Sequence, residues 1–125
     1  MITGIGTDII EVKRIQEAID KYGERFVRRI FTDVEIEYCS ARKAAAMHYA
    51  GRFASKEAAF KALQRGWGGE VSWKDVEVVN EPSGAPRLRF YGKALEIVRE
   101  KKVTAFHVSI SHIQDLATAI VVLEG

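Results

Sequence analysis

Apolar and polar positions change their period several times along this chain, and each change marks an element. From Ile2 to Val12 the residues are rich in isoleucine and threonine and follow a period of two. This predicts a strand with Gly4, Gly6 and Asp8 on one face and Ile5, Thr7 and Ile9 on the other. From Val12 to Tyr22 the period becomes helical, with Ile15, Ala18 and Ile19 inward. Gly23 interrupts, and Glu24 to Ile30 continues helically. Thr32 and Glu35 then stand at capping-box spacing and predict a helix to about Arg42. The longest predicted helix runs from Lys43 to Arg65, with no proline and one glycine. Met47, Ala50, Ala54 and Ala58 recur there at steps of three and four, a stripe of mostly small residues that admits a close neighbour.

The second half returns to period two. Val71 to Glu81 predicts a strand, and the Pro82–Pro86 loop turns it back into a second over Leu88 to Tyr91. Gly92 to Lys102 predicts a short helix with Ala94, Leu95 and Val98 inward. Thr104 to His112 predicts a strand with Phe106, Val108 and Ile110 on one face and His107, Ser109 and Ser111 on the other. Gln114-Asp115 is a turn, and Leu116 to Leu123 a final strand antiparallel to its neighbour. This order gives an α+β fold, a small, mostly antiparallel sheet with a long central helix.

Composition narrows the class. At 125 residues and 47% hydrophobic, residues 1–125 are expected to form one domain with a real core. Lys and Arg number 19 against 17 Asp and Glu, so local rather than overall charge must select any partner. A single cysteine, Cys39, permits no internal disulfide and fits a reduced setting; beside Tyr38 it reads as packing rather than a nucleophile. The first residues lack the pattern of a signal peptide, and no apolar run reaches membrane-spanning length. The expectation is a cytoplasmic protein that binds no membrane.

Several residues carry chemistry. Glu57 and Lys61 lie one turn apart on the long helix, between Phe53 and Phe60. That spacing fits a partly buried ionic site, and equally a solvated surface pair. Gly4 and Gly6 leave room beside Asp8, as where a ligand or another backbone comes close, although Asp8 alone reads as a strand-end cap. The glycines are no dinucleotide fingerprint, since the third is missing and the acid follows too soon. Arg14, Lys21, Arg25 and Arg28 can form one basic stripe if the break at Gly23 is mild, diluted by Glu17, Asp20 and Glu24. On pattern alone this is a solvated face; the alternative is docking of an acidic partner. Asp8, Glu57, Lys61 and His107 together do not make a zinc site. Two carboxylates suit magnesium, which substrate phosphates complete, with a lysine and a histidine for the remaining phosphate charge. This permits transfer at phosphorus without selecting a reaction; a glycosidase-like carboxylate pair lacks a sugar cleft around it.

Four stretches together carry a resemblance: Gly4-Ile5-Gly6-Thr7-Asp8-Ile9-Ile10-Glu11-Val12; Phe31-Thr32 with Glu35 and Tyr38-Cys39; Gly51-Arg52-Phe53-Ala54 with Lys56-Glu57-Ala58 and Lys61-Ala62; and His107-Val108-Ser109-Ile110-Ser111-His112. In order, spacing and length the chain resembles the holo-acyl-carrier-protein synthase family, the short 4′-phosphopantetheinyl transferases. The resemblance implies Mg2+ held by Asp8 and Glu57, and coenzyme A as donor. A serine of apo acyl carrier protein would attack the β-phosphorus and release 3′,5′-ADP, a step serving fatty acid biosynthesis. It implies that Glu57 and Lys61 are catalytic, that Lys61, His107 and Arg52 bind coenzyme A, and that Arg14, Lys21, Arg25 and Arg28 dock the acidic carrier. It also implies a homotrimer with sites between subunits, where His107 faces a neighbour's carboxylates. The sequence departs from the family where Gln64 and Arg65 precede Gly66, ahead of Trp67-Gly68-Gly69.

Two other classes remain to compare. One is a phosphate-binding regulatory domain without turnover. The other is an RNA-binding module using the Arg14–Arg28 stripe, which the near-neutral charge and the lack of stacking aromatics on a polar strand face disfavour.

Overall fold

The computed structural model describes residues 1–65 and 70–125. Strand β1 (Ile2–Glu11) leads into helix α1 (Val12–Tyr22), helix α2 (Glu24–Ile30), helix α3 (Asp33–Ser40) and the long helix α4 (Ala45–Leu63). A 3-10 turn (Trp73–Asp75), β2 (Val76–Asn80), β3 (Pro86–Phe90), α5 (Gly92–Glu100), β4 (Ala105–His112) and β5 (Leu116–Glu124) complete the chain. No described helix is long and apolar enough to cross a membrane.

The strands form two antiparallel sheets, not one. β5 lies between β1 and β4, while β2 and β3 pair apart from them. The strand predicted from Val71 starts only at Val76. Ser72 and Asp75 bond reciprocally and wind Trp73–Asp75 into the 3-10 turn first. The predicted box at Thr32 and Glu35 is formed, with both hydrogen bonds present.

Helix α4 lies across β1 and β5. Ala50, Ala54 and Ala58 are wholly buried and Ala62 nearly so, and with Ala117, Ala119, Val121 and Leu123 of β5 they form the centre of the core. Small side chains on both surfaces allow the close approach. At β1 it goes further, because the glycine face meets α4 directly. A Cβ on Gly4 would stand 2.1 Å from the carbonyl oxygen of Ala62, and one on Gly6 1.8 Å from that of Ala58. The approaching group anticipated from these glycines is therefore the helix backbone.

The opposite face of the three-stranded sheet is left uncovered. Ile5 is 56% and Ile9 64% exposed, with Ile120 at 44% beside them on β5. Thr7 pairs with Ile120, and Ile120 in turn with Ser109 of β4, so this surface carries an apolar centre with a polar border.

α4 ends at Gln64, which takes the left-handed conformation (φ 61°, ψ 33°) usual for glycine at this place. The departure from the family pattern thus begins at the helix stop itself, where Lys101 Nζ donates to Gln64 Oε1 at 3.4 Å. The rest of that glycine-rich loop, residues 66–69, lies outside the described residues.

Candidate functional site

Because β1 rests on α4 through its glycines, Asp8 arrives beside the helix face that carries Glu57 and Lys61. Lys61 Nζ donates to the Thr7 carbonyl at 3.0 Å and stands 3.4 Å from Asp8 Oδ1. The Asp8 side chain is 17% exposed and that of Lys61 55%. Thr118 on β5 fixes the strand here, its hydroxyl donating to the Asp8 carbonyl at 2.9 Å. Asp8 and Glu57 both line an open cleft of about 500 Å³, together with Phe53, Glu11 and Arg14.

The charges in this cleft are not balanced. Burial raises the pKa of Glu57 above its ordinary value, the Asp8 charge raises it further, and Lys61 pulls it back. One ammonium thus faces two carboxylates, and a hard cation would relieve the remaining repulsion. The donor set fits magnesium: oxygen ligands only, few enough that substrate and water must complete the shell. Among the described residues no cluster of three or more ligating side chains exists that would hold a metal by itself.

Of the other predicted site residues, Arg14 shares this cleft and the rest lie elsewhere. Arg14 lines the cleft, its guanidinium 3.5 Å from Glu11. Gly23 does not make a mild break: at φ 57° and ψ −137° it leaves helical geometry altogether, so Arg14 and Lys21 belong to one helix and Arg25 and Arg28 to another. This corrects the single continuous stripe. Arg25 borders a shallow hollow with Tyr22, Phe26 and Arg29, and Arg28 faces Glu24 and Asp33 at 3.8 and 3.7 Å.

His107 projects from the uncovered sheet face, with Nε2 2.6 Å from Glu124 Oε1, and within one chain it does not join Asp8 and Glu57. Arg52 also departs from its expected place. It is 4% exposed, lies over the Tyr38 ring at 3.9 Å, and donates to Asn80, while its Nε has no partner. It is a packed residue away from the cleft.

Sequence reasoning gave no role to Lys56. Its ammonium is fully buried, 2.8 Å from the equally buried Glu35, and donates also to the carbonyls of Trp73 and Val76. Glu35 accepts in addition from the backbone N–H groups of Thr32 and Val78. The available signal was positional, since Lys56 falls three residues after Phe53 and four before Phe60, in the middle of the buried face.

Fold and cleft together define a small α+β protein with an oxygen-donor site and an adjacent lysine. A model describing the 4′-phosphopantetheinyl transferase superfamily matches residues 4–121, and the chain belongs to this family. It is 44% identical over 125 residues to a holo-[acyl-carrier-protein] synthase of Syntrophus aciditrophicus, covering 100% of this chain and 98% of the relative. Among solved structures it resembles that of Neisseria meningitidis holo-[acyl-carrier-protein] synthase (TM-score 0.89, 36% identity, 100% of both chains). It also resembles the Helicobacter pylori holo-[acyl-carrier-protein] synthase in complex with coenzyme A (TM-score 0.85, 32% identity, 96% of this chain and 99% of that one).

Proposed function

We propose that this protein transfers the 4′-phosphopantetheine group of coenzyme A to a serine of apo acyl carrier protein. The observation that carries the reading is the convergence of Asp8 and Glu57 on one open cleft, with the Lys61 ammonium 3.4 Å from Asp8. The serine oxygen forms a bond to the β-phosphorus, the bond from that phosphorus to the bridging oxygen breaks, and 3′,5′-ADP leaves with the electron pair. Asp8 and Glu57 would hold Mg2+, which when bound neutralises and orients the diphosphate. Lys61 presents its ammonium to the charge that develops on the leaving phosphate. The serine proton leaves to a water beside Glu57.

The carrier's acidic surface would meet the basic residues of α1 and α2. Arg14 stands at the cleft mouth, and Lys21, Arg25 and Arg28 extend the charge away from it. Such charges act mainly on encounter rate and orientation.

A homotrimer belongs to the same proposal. The uncovered isoleucines supply an apolar surface for a second copy. His107 on that surface would then reach coenzyme A phosphate bound at a neighbour's carboxylates. Arg52, being packed, would act by supporting Tyr38 rather than by touching the ligand. A reduced cytoplasmic setting suits the unpaired, buried Cys39.

The test is to incubate the protein with coenzyme A, Mg2+ and apo carrier and to weigh the carrier by mass spectrometry. Addition of one phosphopantetheine mass is expected. An unchanged carrier, with coenzyme A bound but intact, would leave a phosphate-binding domain without turnover.

A further inference from the structure

Lys56 precedes Glu57, yet it faces the opposite environment. One residue along a helix turns the side-chain direction by about 100°, so whatever holds Lys56 also sets the angle at which Glu57 leaves α4. The Lys56 ammonium has three protons and three acceptors: Glu35 Oε1 at 2.8 Å, the Trp73 carbonyl at 3.1 Å and the Val76 carbonyl. These belong to α3, the 3-10 turn and the start of β2, so the helix is tied to separate elements through a single atom. Glu35 is fixed in turn by the N–H groups of Thr32 and Val78.

Stability alone does not account for such an arrangement. An apolar side chain of similar length would fill the same volume without the cost of removing two charges from water. What an apolar residue cannot supply is directional bonding to partners on three elements, since a triply bonded ammonium has one orientation that satisfies all of them. The same anchored turn also supports the cleft wall. Phe53, which lines the cleft, is stacked on Trp73 with ring centroids 5.0 Å apart.

We infer that Lys56 is a positioning residue: its buried, triply bonded ammonium fixes the rotation of α4 and so aims Glu57 and Lys61 at Asp8. The consequence for turnover rests on the transferase reading above; the geometric claim does not. The opposite end of the device is the contact between the Lys61 ammonium and the Thr7 carbonyl, made at this rotation of the helix.

The test uses the full chain with Lys56→Met, and Lys56→Met/Glu35→Gln to avoid leaving a buried carboxylate unpaired. Both are compared with wild type at a temperature where circular dichroism shows them folded. Nuclear Overhauser contacts between the Lys61 side chain and Thr7 are expected to weaken or vanish in the folded double variant. Its kcat for transfer should fall about tenfold or more while KM for coenzyme A stays within about twofold. A folded double variant that keeps the Lys61–Thr7 contacts and wild-type kcat would overturn the inference and leave Lys56 a packing residue. A wild-type protein without any transfer would refute the transferase reading, and the Overhauser comparison would still decide the positioning.

Discussion

A methyl group placed on Gly6 would meet the carbonyl oxygen of Ala58 at 1.8 Å, well inside contact distance. The obstacle is backbone in the middle of a helix, so it cannot swing aside. Gly6→Ala must push β1 off α4, and overpacking of this kind costs about 3 kcal/mol. Urea unfolding should show that loss. The fraction that still folds should transfer poorly, because Asp8 moves with the strand.

Glu57 carries a pH signature in the metal-free protein. Its pKa is raised by burial first and by Asp8 second, against the pull of Lys61. The folded state therefore keeps this proton to higher pH than the unfolded chain. Its stabilising contribution is complete below the ordinary value of 4.5 and is lost as pH rises through the folded value. At neutral pH without metal, Glu57→Gln should thus raise Tm, and at pH 4 the gain should disappear. Transfer should fall about a hundredfold or more, and added Mg2+ should raise the Tm of wild type but not of the variant.

The cleft-mouth arginine separates the two substrates. Arg14→Glu should raise KM for the carrier about tenfold and leave KM for coenzyme A within about twofold, with the difference shrinking at high salt. Steady-state kinetics at two ionic strengths check it. Equal effects on both substrates would remove α1 from the docking role.

Ile5 tests the assembly. At 56% exposed it lies in the uncovered apolar surface, away from the core and outside the cleft lining. Ile5→Asp should leave the monomer fold intact by circular dichroism. Sedimentation velocity is expected to show a trimer for wild type and a monomer for the variant, with activity lost alongside assembly.

Cys39 should be chemically silent. It is fully buried, and burial pushes its thiol up from 9.0 to about 12. A thiol reagent at pH 8 should label the protein only after denaturant is added. Since the folded state holds this proton above the unfolded value, its contribution to stability is complete below pH 9 and declines as pH climbs toward 12.

Much of this architecture was legible because local rules and packing agreed. The capping box at Thr32 and Glu35, the helical run through α4 and the alternation of β4 all formed as their residues indicate. Asp8, Glu57 and Lys61 could be nominated from residue type and spacing, and the fold brings them together. What escaped depended on partners distant in sequence. Nothing near Lys56 announces that Glu35 will meet it in the core, and nothing near Arg52 announces Tyr38 and Asn80. The angle at Gly23 was hidden for another reason, since glycine permits both a gentle and a sharp exit from a helix and sequence does not choose between them.

The seating of a strand on a helix through bare main chain has one more consequence. No side chain serves as the spacer between the two acids, so substitutions elsewhere in the core have no thickness to add or remove there. Helices α1 and α2 and the outer sheet can drift to suit new partners while the gap that would receive a dication keeps its width.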